Sequence, residues 1–277
     1  VCSSDLADIH GNLMTRQRIS VLRHLMEDEG GVVVTTMDGL MDHLLPLKYM
    51  RDQIVTVMEG QVLDLEKLRD RLTAMGYERG AQVDGMGQFS IRGGIVDIYP
   101  LTEEVPVRIE MWDDEVNSIR TFDVESQRSV EQLEQVTIYP ASEVVLSRQQ
   151  LQSGIAKLEK EAASCEKAFR GQHKSEEGHR IKSIIAELVD GIREGWKLGG
   201  LDNYLRYFAE DTVSFLDYFP EENSLLFLDE PARLREKGET VEMEFRESMM
   251  HRLEKGYLLP GQTDLLYPAA AVLARVQ

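Results

Sequence analysis

The most informative stretch of the chain reads Val107-Arg108-Ile109-Glu110-Met111-Trp112. Successive side chains of a strand point to opposite faces, so this alternation predicts a strand that is buried on one face only. Val, Ile and Met then face a core, and the other three residues face outward. Trp and Arg are enriched at binding hot spots, so the outward face is a candidate binding surface. In the alternative interpretation, Trp112 packs under a loop and Arg108 pairs with Glu110.

Short strands surround this stretch, with spacing and turns that are typical of antiparallel pairs. They are predicted at Ile54–Met58, Phe89–Ile91, Ile95–Tyr99, Val116–Phe122 and Val136–Tyr139. Asp64 is expected to cap a helix that Gly76 closes. Between two of the strands, Arg92-Gly93-Gly94 permits positive φ or a bulge that places Arg92 beside the turn; alternatively, the glycines serve the turn alone. Together these elements predict a small α+β domain with an antiparallel sheet.

The flanking sequence follows a different pattern, which is typical of a doubly wound α/β domain. On the N-terminal side we expect a helix over Thr15–Glu29, a strand over Val32–Thr36 that is buried on both faces, and a short helix from Asp38 to Leu45. On the C-terminal side, the predicted elements are helices from Ser147 to about Ala168 and over Lys182–Glu194, a buried strand over Leu225–Asp229, and a charged helix after Pro231. The fold class is therefore α/β, with a partial doubly wound domain that carries the α+β domain as an insert. The two outer parts are expected to share one sheet.

The strand ending at Asp229-Glu230 resembles a Walker B strand, in which the first acid holds Mg²⁺ and the second positions water. Such a strand needs a P-loop, Gly-x-x-x-x-Gly-Lys-Ser/Thr, to hold the phosphates, and the sequence contains none. The scattered histidines and two cysteines show no zinc-ligand spacing. These patterns argue against catalysis and against a metal site in this chain.

Composition limits the partners of the chain. The formal net charge of −18 disfavours a direct grip on the DNA backbone, which rewards Lys and Arg. The longest apolar run is far shorter than the roughly 20 residues of a membrane span, and no secretory signal is visible. We therefore expect a cytoplasmic chain with no membrane partner.

The run from Phe89 to Pro100, FSIRGGIVDIYP, closely resembles the start of domain 2 in the UvrB and transcription-repair coupling factor families. The runs Arg108–Glu115 and Ser118–Asp123 fit both families. The run Phe122–Ser129 resembles the coupling factors, because UvrB tends to have a Pro-Leu-Thr-Gly-like turn there. The resemblance covers roughly residues 10–245.

This resemblance implies four parts: 1–46 as the end of domain 1a, 47–138 as domain 2, 139–250 as domain 1b, and 251–277 as a linker toward missing domains. The outer domain would then be a degenerate helicase-like domain, with Asp229 and Glu230 as relics of a lost ATPase. We also expect residues 1–6 to be a sequencing-adapter artefact. Because most of domain 1a would be absent, domain 1b would lack sheet neighbours and be marginally stable.

The resemblance also implies a role. Members of the coupling-factor family recruit UvrA to RNA polymerase stalled at DNA damage, and an ATP-driven translocase acts on double-stranded DNA. The family's UvrA contacts fall on Arg92, Arg108 and Trp112, with the difference that the aromatic residue is commonly Phe. No cofactor is implied for this chain, since ATP and Mg²⁺ belong to motor domains elsewhere in the longer protein. The alternatives are part of an active UvrB- or helicase-type ATPase and a purely structural scaffold.

Overall fold

The computed structural model describes residues 3–27, 30–194 and 200–276, with side chains from residue 13 onward. The chain divides into two compact units. The first, here the sheet unit, contains Val1–Gly30 and Leu47–Val145, and the second, here the helical unit, contains Gly31–Pro46 and Leu146–Gln277. The second segment of the sheet unit starts at Leu47, where the predicted insert starts, and the unit also includes the N-terminal helix, which the resemblance assigns to domain 1a.

The sheet unit contains all the strands that the structure describes. Its helices are α1 (Ser3–Met26), α3 (Leu47–Arg51) and α4 (Leu65–Ala74), and its strands are β1 (Val55–Met58), β2 (Glu78–Arg79), β3 (Gln88–Arg92), β4 (Ile95–Ile98), β5 (Val107–Trp112), β6 (Glu115–Phe122), β7 (Ser129–Leu133) and β8 (Gln135–Ile138). Strands β2 to β7 lie side by side in chain order in one sheet, antiparallel except for the β2–β3 pair. Strands β1 and β8 form a separate antiparallel pair. The predicted antiparallel sheet is therefore confirmed.

Local signals fixed the ends of several elements as expected. The Asp64 carboxylate accepts hydrogen bonds from the backbone N–H groups of Glu66 and Lys67 at the start of α4, and Gly76 follows the helix with a φ of +90°. In α1, the apolar positions Ile19, Leu22 and Met26 are buried along one face. The predicted end of α1 at Glu29 lies outside the described residues.

The helical unit consists of α2 (Met37–Met41), α5 (Arg148–Gly171), α6 (Ser175–Glu194), α7 (Leu205–Phe208), α8 (Pro231–Glu254) and α9 (Ala269–Arg275), joined by short 3-10 turns. Ser147 and Gln150 form a capping box at the start of α5, as the sequence predicted. Helices α5 and α6 pack against each other, and α2 packs with α8 and α9 around a small apolar core. This core includes Met37, Met41 and Ala269.

Two predicted strands of the helical unit were wrong. Residues 32–36 and 225–229 have no regular secondary structure, and the side chains of Val32, Val34, Leu225 and Phe227 are exposed. A strand buried on both faces needs hydrogen-bonded neighbours, and the described strands all belong to the sheet unit. Among the described residues, the outer parts of the chain share no sheet, and the predicted strands of a doubly wound domain are not seen there. The coarser fold class, α/β with a small sheet domain, is confirmed.

Two smaller predictions for the helical unit also need correction. Thr36, rather than Asp38, caps α2, because its hydroxyl accepts the hydrogen bond from the Gly39 N–H, and the helix ends at Met41 instead of Leu45. The expected linker, residues 251–277, is folded over its described part: α9 packs on α8, and Tyr267 N–H donates to the Met41 carbonyl. Apolar residues such as Ala269 and Val272 explain this packing, since they complete the core around Met37.

An ion pair joins α9 to the segment around Asp217, and it predicts a pH effect. The Arg275 guanidinium donates to both oxygens of Asp217, at 2.5 and 3.1 Å, and Ser214 N–H donates to the same carboxylate. The hydrogen bonds from Arg275 lower the pKa of Asp217 below its ordinary value. An aspartate whose pKa is lower in the folded state than in the unfolded state stabilises the fold through its charged form. This stabilisation is fully present above the pKa of the unfolded state, about 3.9, and it is lost as the pH falls through the pKa of the folded state.

We therefore expect wild type to be more stable than Asp217→Asn at pH 6, and the difference to shrink as the pH falls below the unfolded pKa and to vanish below the folded pKa. Urea denaturation of both proteins across this pH range measures it. A difference that persists unchanged at the acidic end would show that the contribution of Asp217 does not come from its charge.

Candidate partner-binding site

The outward face of the six-stranded sheet carries the three residues that the resemblance assigns to partner binding. Strand pairing places Asp97 of β4 beside Arg108 of β5, and the side chains of Glu110 and Trp112 follow on the same face of β5. The core-facing residues Val107 and Ile109 are buried, as the alternation predicted.

Asp97 is the anchor of this face, although it is a buried carboxylate. Arg108 donates two parallel hydrogen bonds to it, from Nε to Oδ1 at 2.6 Å and from Nη2 to Oδ2 at 2.9 Å. Arg92 Nη2 donates a third hydrogen bond to Oδ2 at 2.7 Å. Two cations thus neutralise one buried anion, which is the condition under which a charge is tolerated away from water.

The guanidinium of Arg108 contacts Asp97, Gln127 and Phe122, and little of its surface remains accessible to a partner. Its Nη1 and Nη2 also donate to the backbone carbonyl and the side-chain oxygen of Gln127, at 3.2 and 3.1 Å. Its guanidinium lies 4.5 Å from the centre of the Phe122 ring, and its side chain is 13% exposed. The hydrogen bonds to Asp97 raise the pKa of Arg108. The predicted Arg108–Glu110 ion pair is wrong, since Glu110 instead accepts a hydrogen bond from Ser118 Oγ at 2.8 Å.

Trp112 and Arg92 are the accessible members of the set. Trp112 is 80% exposed at the end of β5, so the alternative in which it packs under a loop is wrong. Asp113, with a φ of +57°, begins the two-residue turn from β5 to β6. The Arg92 side chain is 45% exposed, and Gly93 has a φ of +61° in the turn from β3 to β4. Gly93 thus supplies the positive φ that the Arg92-Gly93-Gly94 motif predicted.

Sequence reasoning missed Asp97. The signal was present, because Asp97 is the lone charged residue in the apolar run Ile95-Val96-Asp97-Ile98. A charge inside such a strand requires a partner on the neighbouring strand, and the register of β4 and β5 makes Arg108 that partner.

Asp229 and Glu230 do not follow a strand in the structure. Both are exposed in a segment without regular structure, and Glu230 has a φ of +48° at the N-terminus of α8. The Glu230 carboxylate pairs with Arg233 at 2.8 Å, three residues later on the same helix. Over the described ranges, no three His, Cys, Asp or Glu residues are grouped so as to hold a metal ion. The Walker B-like strand is therefore wrong as a structural prediction.

No helix in the described part of the chain combines the length and the apolar character that a membrane crossing requires.

Comparison with known proteins shows which sequences the chain around this site is similar to. Residues 55–144 match the family described as "UvrB interaction domain". The chain is 36% identical over 243 residues to a transcription-repair-coupling factor of Bacillus subtilis, an alignment that covers 88% of this chain and 20% of the relative. It is 33% identical over 255 residues to that of Staphylococcus epidermidis, covering 91% of this chain and 21% of the relative.

The chain therefore spans about a fifth of the length of the curated relatives that it matches. The matched residues 55–144 include β1, the whole six-stranded sheet and the Asp97 anchor with both of its arginines. Residues 55–144 thus match a UvrB interaction domain, within a sequence that is similar to one portion of the transcription-repair-coupling factors.

Proposed function

We propose that this chain is the UvrB-like module of a transcription-repair-coupling factor and that it recruits UvrA in transcription-coupled nucleotide excision repair. The observation that carries the proposal is the outward face of β5, where an 80% exposed tryptophan stands on the same sheet face as two arginines anchored on one buried carboxylate. A rigid, exposed aromatic residue beside positioned cations is the usual composition of a binding hot spot.

Within this site the three residues have different roles. Trp112 and Arg92 contact UvrA, because they are the accessible members. Arg108 is a positioning residue, since its guanidinium is engaged by Asp97 and Gln127 and keeps the loop after β6 on the sheet face. This assignment changes the sequence-based prediction, in which all three residues were contacts.

For the longer protein, the proposal rests only on the relatives of the chain. We expect the longer protein to be an ATP-dependent DNA translocase whose motor domains bind ATP and Mg²⁺, and to carry surfaces for RNA polymerase and double-stranded DNA. We expect these parts to lie outside the 277 residues and the protein to act in the cytoplasm. For the chain itself we propose no catalytic activity and no cofactor. Turnover of ATP above background by the purified chain would contradict this part of the proposal.

The decisive experiment is calorimetric titration of the 277-residue chain into UvrA, with Trp112→Ala as the variant. We expect wild type to bind and Trp112→Ala to lose at least about thirtyfold in affinity, which corresponds to about 2 kcal/mol for a hot-spot truncation. Because Trp112 is exposed, the variant should melt at the wild-type temperature.

The matched control is Phe227→Ala, which removes another exposed aromatic side chain, 87% exposed, from the helical unit. Its affinity for UvrA should equal that of wild type. Equal affinities for Trp112→Ala and wild type would remove Trp112 from the site. A folded wild-type chain that does not bind UvrA would favour the alternative of a structural scaffold.

A further inference from the structure

A second exposed apolar side chain lies in line with Trp112, in a segment to which the proposed function gives no role. Residues 60–63 run beside the start of β6 and are joined to it by one isolated antiparallel bridge. Leu63 N–H donates to the Asp114 carbonyl at 2.8 Å, and Val116 N–H donates to the Gln61 carbonyl at 2.9 Å. These two hydrogen bonds bracket the antiparallel bridge between Val62 and Glu115.

This pairing brings three side chains into one row across the sheet. Glu115 is the pairing partner of Trp112 in the β5–β6 hairpin and of Val62 on its other side. Paired residues in neighbouring strands point to the same face of a sheet. Val62 and Glu115 form a non-hydrogen-bonded pair, because the hydrogen bonds are made by the residues on either side of them, and the Cα atoms of such a pair are typically about 4.5 Å apart. Val62 is 70% exposed, so the row presents two apolar side chains to solvent, with a carboxylate between them.

The charged residues at the hairpin tip beside this row are all acidic. Asp113, Asp114 and Glu115 are consecutive and exposed at the hairpin tip. Among the residues that the structure describes, no salt bridge engages any of these three carboxylates. An exposed apolar row with unneutralised acids beside it is complementary to an apolar pocket rimmed by lysine or arginine side chains.

We infer that the partner-binding surface continues from Trp112 across the hairpin tip to Val62, and that the partner surface opposite it is an apolar pocket with a basic rim. The row Trp112–Glu115–Val62 is here called the tip row. This inference rests on the proposed function and makes it more specific, because it adds Val62 as a contact and assigns the chemistry of the surface that UvrA must present.

The test is titration into UvrA of Val62→Asp, which places a charge in the apolar part of the tip row. We expect at least about a tenfold loss of affinity, since a charge buried against an apolar pocket is left without a partner. The matched control is Val130→Asp. Val130 is also an exposed valine, at 71%, but it lies on β7, which pairs with the opposite end of β6. Its affinity should stay within about twofold of wild type, as a surface substitution outside the contact does.

The basic rim is tested by the double variant Asp113→Asn, Glu115→Gln. Asn tolerates the positive φ of position 113, so the turn is kept while two charges are removed. We expect affinity to fall about three- to tenfold at low ionic strength, and the difference to disappear at 1 M salt, where the screening length is roughly 3 Å. An unchanged or tighter affinity at low salt would overturn the basic rim.

The outcomes separate the two proposals. If Trp112→Ala loses affinity while Val62→Asp binds as tightly as wild type, the surface ends at Trp112 and the extension is wrong, although the proposed function stands. If wild type is folded but does not bind UvrA, the proposed function fails and this inference fails with it. If Val62→Asp melts at a lower temperature than wild type, Val62→Ala is titrated instead, and we expect it to lose about threefold in affinity. An unchanged affinity of Val62→Ala would likewise show that the surface ends at Trp112.

Discussion

Replacing Asp97 by Asn is expected to lower the free energy of opening of the six-stranded sheet by about 3 kcal/mol. The buried carboxylate holds Arg108 by two hydrogen bonds and Arg92 by one. Asn has the same shape but no charge, so the largely buried guanidinium of Arg108 loses its counter-ion without gaining water. Hydrogen exchange of peptides from β4 and β5 measures this effect locally, without depending on the stability of the helical unit.

The control for Asp97→Asn is Glu110→Gln, which removes a charge from the same sheet face. Glu110 is only half-buried and its partner is the neutral Ser118 hydroxyl, so we expect a loss below about 1 kcal/mol. Adding Arg108→Gln to Asp97→Asn should recover part of the loss, because no unpaired charge then remains buried. Equal effects of Asp97→Asn and Glu110→Gln would contradict the role of Asp97 as the anchor.

Replacing Gly256 by Ala is expected to destabilise the helical unit by about 3 kcal/mol, through two effects that add. Gly256 follows α8 with a φ of +67°, a conformation that costs an L-residue roughly 1 kcal/mol. A Cβ atom at this position would also lie 2.3 Å from the backbone carbonyl oxygen of Glu177 in α6. Backbone cannot move aside as a flexible side chain can, so α8 and α6 must separate. Urea denaturation followed by far-UV circular dichroism measures the loss.

Two other glycines separate these effects. Gly200 has a φ of +84° but no atom within 4 Å of the added Cβ, so Gly200→Ala should cost only the conformational part, about 1 kcal/mol. Gly171, at the end of α5, has neither a positive φ nor a neighbour within 4 Å, so Gly171→Ala should be neutral or slightly stabilising. If Gly256→Ala were no worse than Gly200→Ala, the close approach of α8 to α6 would not constrain this position.

The two predictions concern different consequences of close packing. At Asp97, the sheet face depends on a charge balance among groups from β3, β4 and β5, and the arrangement leaves Trp112 exposed. At Gly256, the approach of two helices leaves no space for a single methyl group. The first position should therefore affect both stability and partner affinity, and the second should affect stability alone.

The sheet unit could be predicted from sequence in some detail, because its signals are local. The expected strands Ile95–Tyr99 and Val116–Phe122 differ from β4 and β6 by one residue at one end, and Phe89–Ile91 differs from β3 by one residue at each end. The cap at Asp64 was also correct, since its hydrogen bonds reach only two and three residues along the chain. The resemblance to domain 2 was drawn from the same stretch, which lies inside the residues that the UvrB interaction domain matches.

The alternation of apolar and polar residues along Val107–Trp112 by itself determined that β5 has one buried and one exposed face, because side-chain direction in a strand follows from backbone geometry. Only the tertiary structure decided which of the outward residues is accessible. Arg108 is withdrawn from solvent because the register of β4 and β5 places Asp97 beside it. The tertiary structure also decided that the apolar runs at residues 32–36 and 225–229 form no strand. They remain irregular and largely exposed, since strand formation depends on hydrogen-bonding neighbours that a sequence pattern cannot reveal.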